Sequence, residues 1–262
     1  FVSNNPQVQF IGDGVIVPNT DGIILPFKAI SLSGVDVKII KIFENNIVQF
    51  LQTNELNGDR EIKRVGRIVY NSEIDLTSDS PIDYHKWNTF ALDLANLITP
   101  EPGAIYRVEI SFRKKHSLYP MIEDANSDNI IAPFSQIIDP NKNYNDVGSY
   151  WDYYEDDYYY DTEDYNWEES DDPSKSSYYM YNRHKIVKNV LSSDFGIIAK
   201  AGSNNDYFVV VTDLRTTDPI KGVEIEFRNL QNQTMGVTRT NGDGMCKLNL
   251  QDKPFVLIAK KG

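Results

Sequence analysis

The sequence predicts an all-β chain: two Ig-like β-sandwich domains joined by an acidic, tyrosine-rich linker. Three observations carry this. Short β-branched segments with two-residue alternation recur on both sides of the middle. Clusters of Gly, Pro, Asn and Asp punctuate them at the spacing of sandwich strands. Between the two halves, from Met121 to about Tyr181, periodicity disappears, and the stretch 144–181 is acidic and aromatic. From Asp152 to Asp172 there are eleven carboxylates and no Lys or Arg, interleaved with tyrosines and flanked by Trp151 and Trp167. The predicted division is a first sandwich over 1–120, a linker or insert over 121–185, and a second sandwich over 186–262.

In the first sandwich, Val8 and Phe10 mark a strand that runs into the turn Gly12-Asp13-Gly14, and a strand resumes from Val15 to Val17 before Pro18. Residues 22–30 form another apolar run. Strict alternation in Val35-Asp36-Val37-Lys38-Ile39 puts Val35, Val37 and Ile39 on one face. Ile40-Lys41-Ile42-Phe43 continues it after a one-residue shift, which predicts a bulge. Glu44-Asn45-Asn46 then reads as a turn, 47–52 as a return strand and 67–76 as a further strand. Residues 90–98 fit either a short helix or a strand, ended by Pro100 and Pro102. Tyr106 to Arg113 alternates again, with Tyr106, Val108, Ile110 and Phe112 inward.

Beyond Met121 the chain is polar and acidic, punctuated by Pro133, Pro140 and Pro173. A disordered linker has few aromatics. This one is full of them, so its rings are expected to pack in part on a domain surface while the carboxylates stay in water.

In the second sandwich, 196–200 reads as a strand and 207–212 as a continuous apolar run, expected of a central strand covered on both faces. Val223 to Phe227 alternates. Asn241-Gly242-Asp243-Gly244 holds two turn dipeptides tolerant of positive φ. Cys246, Leu248 and Leu250 alternate inward, making Cys246 a buried small hydrophobe. Residues 255–259 close the domain.

Composition excludes several functions. A net charge of -12 argues against nucleic acid, whose phosphates demand clustered Lys and Arg. No stretch of eighteen apolar residues exists, so no membrane span is expected and any membrane attachment would come from an anchor elsewhere. The single cysteine permits neither an internal disulfide nor a Cys-rich metal site. The chain opens at Phe1 without a Met, a basic n-region or an apolar h-region, so a signal peptide is expected to be already removed or outside this stretch, which reads as a piece of a longer protein. Asn232-Gln233-Thr234 reads as a chance sequon.

The chemistry-bearing residues fit no active site. Calcium would need carboxylates spaced in an Asp-x-Asp-x-Asp-Gly loop, which is absent. Glycoside hydrolysis would need two carboxylates on a rigid scaffold, which an aperiodic run does not offer. His85, His116 and His184 are widely separated beside basic or aromatic residues, and suit surface or domain-junction positions better than a metal site. There is no Ser-His-Asp motif and no phosphate-cradling glycine loop. No catalytic residue, cofactor or metal ligand is expected. Trp151, Tyr165, Trp167, Tyr178 and Tyr179 are the candidate contacts for a ligand, such as a glycan, or for a neighbouring domain.

A family resemblance adds to this. Ser193-Asp194-Phe195-Gly196-Ile197-Ile198-Ala199-Lys200, Val211-Thr212-Asp213-Leu214, Asp218-Pro219-Ile220-Lys221-Gly222-Val223 and Thr240-Asn241-Gly242-Asp243-Gly244 together resemble a recurring module of bacterial alpha-2-macroglobulin-like proteins. Tyr165-Asn166-Trp167-Glu168-Glu169 with Pro173 and Tyr178-Tyr179 is similar to the segment preceding that module in Bacteroidetes-type members. Val35-Asp36-Val37-Lys38, Ile42-Phe43-Glu44-Asn45-Asn46, Phe50-Leu51-Gln52 and Pro102-Gly103-Ala104-Ile105-Tyr106-Arg107 resemble an upstream domain of the same subgroup. The resemblance implies macroglobulin-type sandwiches near the N-terminal side of a protease trap in the periplasm or on the outer membrane. The implied partners are other macroglobulin domains of the same chain and, through the whole protein, target proteases. A thioester of the family needs a Gln three residues after its Cys; Cys246 is followed by Lys247-Leu248-Asn249, so none is expected here. Where the subgroup often has cysteines near Tyr119-Pro120 and Pro173, this chain has Met121 and Ser174. The resemblance therefore implies no covalent staple for the linker. The rival reading is a cell-surface binding or adhesion module that uses the central aromatics.

Overall fold

The described residues are organised around two stacks of mostly antiparallel strands. The computed structural model describes residues 4–18, 22–78, 82–120 and 165–261. The acidic run as far as Asp164, Trp151 included, lies outside them. The first half contributes β1 (Gln7–Phe10), β2 (Ile16–Val17), β3 (Ile24–Ile30), β4 (Gly34–Ile42), β5 (Gly66–Asp75), β6 (Asn88–Asp93) and β7 (Ile105–Ser111). After the described gap come β8 (Ile186–Ser192), β9 (Phe195–Ala201), β10 (Asp206–Asp213), β11 (Glu224–Arg228), β12 (Thr234–Arg239), β13 (Met245–Asn249) and β14 (Val256–Lys260).

The first sandwich packs a sheet of order β1-β3-β6 on one of order β2-β8-β7-β4-β5. Alternation decides which side chains meet between them. Leu25, Phe27 and Ala29 of β3 face Val35, Val37 and Ile39 of β4 and Tyr106, Val108 and Ile110 of β7, all buried in one core. The predicted bulge is present, as the register of β4 against β5 shifts between Ile39 and Ile40. That shift turns Ile40 into a second cluster with Ile42, Phe50, Val65 and Ile68. Residues 90–98 resolve into both predicted options: the end of β6, then a 3-10 turn at Leu94–Asn96.

Two expectations are corrected. Residues 47–52 do not return as a strand. They form α1 (Ile47–Leu51) after a 3-10 turn, and a second short helix, α2 (Ile62–Val65), follows. The place beside β4 is taken instead by β5, paired from Ile42↔Gly66 to Gly34↔Asp75. Val48 and Phe50 alternate as they would in a strand, but here bury themselves from one helical turn.

The second correction concerns 186–192. Assigned from sequence to the second sandwich, these residues form β8 of the first: antiparallel to β7, from Ile105↔Leu191 to Ile110↔Ile186, and parallel to β2. The chain thus leaves the first sandwich after β7 and returns to the same sheet with β8. The acidic run lies on this excursion, rather than between one sandwich and the next.

The second sandwich packs a sheet of order β13-β10-β9 on one of order β12-β11-β14. Val209 and Val211 meet Val223, Ile225, Phe227, Cys246 and Leu250 in its core, with Cys246 buried as expected. β10 is central in its sheet but covered on one face only, since Phe208 is exposed. Phe208 is flanked by lysines, pairing with Lys200 on β9 and Lys247 on β13. The turn before β13 needs its second glycine: Gly244 has φ +70° and a Cβ there would lie 2.4 Å from the Val211 carbonyl oxygen.

Only Ser193 and Asp194 separate β8 from β9. The Ser193 N–H donates to the Val17 carbonyl, and the Leu214 N–H donates to that of Asp194. Glu44 pairs with Lys260 at 2.6 Å, and the Gln52 amide donates to the Leu230 carbonyl.

Candidate functional site

Where the excursion re-enters, residues 165–185 are pinned to one end of the first sandwich by rings and hydroxyls. Asn166 caps a 3-10 turn at Trp167–Glu169 through its side chain, which accepts from the Glu168 N–H. Asp172 likewise holds the next turn, accepting from both the N–H and the hydroxyl of Ser174. These short turns lead into a 3-10 stretch, Ser176–Asn182, that carries Tyr178 and Tyr179 inward.

Tyr178 (4% exposed) and Tyr179 (7%) join the hydrophobic core of the first sandwich. Their rings meet edge to face at 5.0 Å. His184 stacks on Tyr178 at 4.0 Å and on Phe112 at 5.5 Å, so one imidazole bridges the returning segment and the residue just past β7. Such pairs add about 0.5–1.5 kcal/mol each beyond the area they bury. The hydroxyls are spent on the backbone: Tyr178 donates to the Pro6 carbonyl at 3.0 Å and Tyr179 to that of Pro173 at 2.7 Å. Lys114 donates to the Ser176 hydroxyl, and Lys185 reaches Glu109 at 3.2 Å.

Burial dominates the electrostatics. It pushes the Tyr178 phenol up to about 12 and that of Tyr179 further still. It pushes His184 below the ordinary imidazole value, assisted by Arg183. A ring nitrogen of His184 bonds to the Tyr178 carbonyl, whereas Nε2 is buried without a partner. Burial alone would raise the Glu109 carboxyl; Lys185, Lys38 and Arg107 outweigh it and hold that group low.

Beside this anchor lies the one cluster with metal-ligand chemistry among the described residues. Asp36, Glu73 and His116 bring their donor atoms within 4.8 Å of one another. Their partners fit an ion network rather than a cation. Arg113 donates to both oxygens of the buried Asp36, at 2.6 and 2.5 Å. Arg113 and Lys115 both reach Glu73. Two cations thus already neutralise two carboxylates. The His116 Nδ1 accepts the Arg113 N–H at 3.1 Å, which puts the ring proton on Nε2, the nitrogen that faces Glu73 at 3.2 Å. A metal would need that nitrogen bare.

An open cleft of about 530 Å³ on the first sandwich is lined by Lys41, Phe43, Arg67, Ile98, Glu101 and Tyr106. Lys41 is paired with Glu101, and the Glu101 N–H donates to the Tyr106 hydroxyl at 2.7 Å. These contacts tie the cleft walls together.

The predicted contact residues separate. Tyr178 and Tyr179 come together in the anchor. Tyr165 is half-buried, with its hydroxyl 3.5 Å from Arg183. Trp167 stands out at 73% exposed on its acidic turn. Trp151 lies outside the described residues. His85 is exposed, but His116, expected at a surface or junction, is buried (2% exposed), facing Asp36 of β4 and Glu73 of β5. Phe112 and Ser117 were not singled out from sequence. Phe112 reads there as ordinary core and Ser117 carries no signal.

The family model described as "Bacterial alpha-2-macroglobulin MG3 domain" matches residues 192–262. The crystal structure of native alpha-2-macroglobulin from Escherichia coli spanning domains NIE-MG1 is similar at TM-score 0.53 and 15% identity, over 98% of this chain and 93% of that one. The native conformation of the E. coli protein seen by cryo-EM is similar at TM-score 0.52 and 15% identity, over 98% of this chain and 12% of that one. The trypsin-activated form of the E. coli protein gives 0.54 and 18%, over 98% and 13%. The chain therefore spans nearly all of a two-domain piece and a small part of the longer chains. A comparison with curated proteins finds no match. Residues 192–262 thus match the family model of the bacterial alpha-2-macroglobulin MG3 domain, and the chain as a whole shares the all-β fold of the NIE-MG1 piece of the E. coli protein.

Proposed function

We propose that this chain is a non-catalytic framework segment of a bacterial alpha-2-macroglobulin-like protease-trapping protein. The observation that carries this is the pairing of a fold match along nearly the whole chain with a family match over the second sandwich. The chemistry agrees: among the described residues the cluster of Asp36, Glu73 and His116 is spent on an ion network with Arg113 and Lys115, and Cys246 is a buried thiol that burial pushes up, away from nucleophilic use. In this reading the two sandwiches set spacing, and their partners are further macroglobulin domains of a longer chain that meets proteases as a whole. The setting is the periplasm or an outer-membrane-anchored position. The Bacteroidetes-type assignment rests on Tyr165-Asn166-Trp167 and the anchor tyrosines.

A complete chain carrying this segment is the test. It should protect a large protein substrate from trypsin while leaving trypsin active on a small peptide, and deleting residues 1–261 in frame should abolish protection. Protection undiminished by the deletion would sink the framework role.

The binding-module reading retains one observation, the exposure of Trp167 among Glu168, Glu169, Asp171 and Asp172. Tyr178 and Tyr179 are no longer available to it. A glycan array comparing wild type with Trp167→Ala decides it, since binding unaffected by the substitution, or none at all, removes the idea.

A further inference from the structure

Two histidines sit at the joint that holds the returning segment. His184 belongs to the segment and is stacked between Phe112 and Tyr178. His116 lies in the 3-10 turn Lys114–His116, whose neighbours grip the segment from the other side: Lys114 on Ser176 and Ser117 on Tyr179. Both rings are seated as neutral imidazole. The His184 Nε2 is buried with no acceptor in reach, so a proton there would be a charged donor without a partner. The His116 Nδ1 is occupied as an acceptor of the Arg113 N–H, and a proton on it would break the bond that shapes this turn.

We propose that His184 and His116 together make the docking of residues 165–185 onto the first sandwich acid-sensitive: the segment is held at neutral pH and released on acidification.

The charges facing each ring set the direction. Arg183 opposes protonation of His184, whereas Asp171 and the bond to the Tyr178 carbonyl favour it. For His116, Asp36 on β4 and Glu73 on β5 favour the charged form while Arg113 and Lys115 oppose it. Burial is the largest influence on both and carries the balance to the neutral side. With the docked value depressed, docking is at full strength above the ordinary histidine value of about 6.5. It weakens as pH falls from there to the docked value, by roughly tenfold in the docking equilibrium for each unit of depression.

Hydrogen exchange of the 262-residue chain, followed by mass spectrometry from pH 7.5 to pH 5 and corrected for intrinsic rates, tests this. Exchange over 165–185 should accelerate by tenfold or more on acidification, while peptides of β11 keep their protection. In His184→Phe, which keeps the stack without a titrating group, combined with His116→Gln, the acid response should be lost. A flat wild-type profile would overturn the proposal, as would an acid response that persists in the double variant. Should that variant fail to fold, histidine titration of the wild type by NMR decides it. His116 and His184 both protonating below the ordinary imidazole value of about 6.5 supports the device, and either titrating at or above it overturns it.

Discussion

The Ser117 hydroxyl lies 2.8 Å from the Tyr179 hydroxyl, at the point where the chain leaves the first sandwich and where it comes back. Because Tyr179 donates onward to the Pro173 carbonyl, the Ser117 hydroxyl is the donor to Tyr179, and it in turn accepts the Tyr119 N–H at 3.1 Å. Four groups form one directed chain, Tyr119 to Ser117 to Tyr179 to Pro173. It joins the two neighbourhoods where the resemblance led us to note missing cysteines. A non-covalent clasp stands there in this protein.

Tyr179→Phe removes the clasp while keeping the ring against Phe112. It strands the half-buried Ser117 hydroxyl and the buried Pro173 carbonyl, so docking of 165–185 should weaken by about 1–3 kcal/mol. Limited proteolysis should cut this segment faster, with β10 and β11 untouched. An unchanged cutting rate would mean that the rings alone hold the segment.

The clasp also predicts an alkaline limit. Burial pushes Tyr178 up to about 12, with Tyr179 higher. The docked state holds the neutral phenols. As pH climbs past the ordinary tyrosine value of about 10, the released form ionises and the docked form does not, so docking weakens. Spectrophotometric titration should show a late-ionising fraction, to which Tyr106 also contributes through its own burial. Replacing Tyr178 and Tyr179 with Phe should shrink that fraction without emptying it.

The ion network beside the clasp makes a third case. Asp36 is buried and its two oxygens are both taken by Arg113. Arg113→Met should cost about 3–5 kcal/mol, the penalty for leaving a carboxylate buried without its partner. Adding Asp36→Asn should restore much of the loss, because no uncompensated charge remains. Urea denaturation of the single and double variants measures both. Zinc or calcium should leave the midpoint unmoved, as the network reading requires.

Much of this architecture was legible in the sequence, for a physical reason. A sheet with one buried face writes its register as alternation, so Val35-Val37-Ile39 and Tyr106-Val108-Ile110 announced their cores, and the slip at Ile40 announced the bulge. What alternation does not encode is the neighbour. Val187, Val190 and Leu191 are as suited to one sandwich as to the other, and only pairing with β7 assigns them. Helix α1 was hidden likewise, since buried Val48 and Phe50 satisfy either period over five residues. The anchor was half legible: Tyr178 and Tyr179 stood out by composition. Ser117, Phe112 and the burial of His184 depend on a contact more than sixty residues away.

The two cores predict two cooperative units. Ile39 sits at 0% exposure in the first and Ile225 at 0% in the second, and among the described residues no buried cluster contains residues of both. Replacing either with Ala should cost about 2–5 kcal/mol through lost contacts and the residual cavity. Each substitution should lower one calorimetric transition and leave the other within the usual additivity error of about 0.5 kcal/mol. The bridging contacts do not undo this: the Glu44–Lys260 pair is about half exposed on both sides, a setting worth about 0–1 kcal/mol. What such a pair can do is choose an orientation, because only Ser193 and Asp194 join the sandwiches. Glu44→Lys should therefore leave both transitions in place and change the small-angle scattering profile, with Lys260→Glu in the same chain restoring it. If Glu44→Lys instead lowered both transitions together, the two sandwiches would be one cooperative body, and the separation of their cores would carry no thermodynamic meaning.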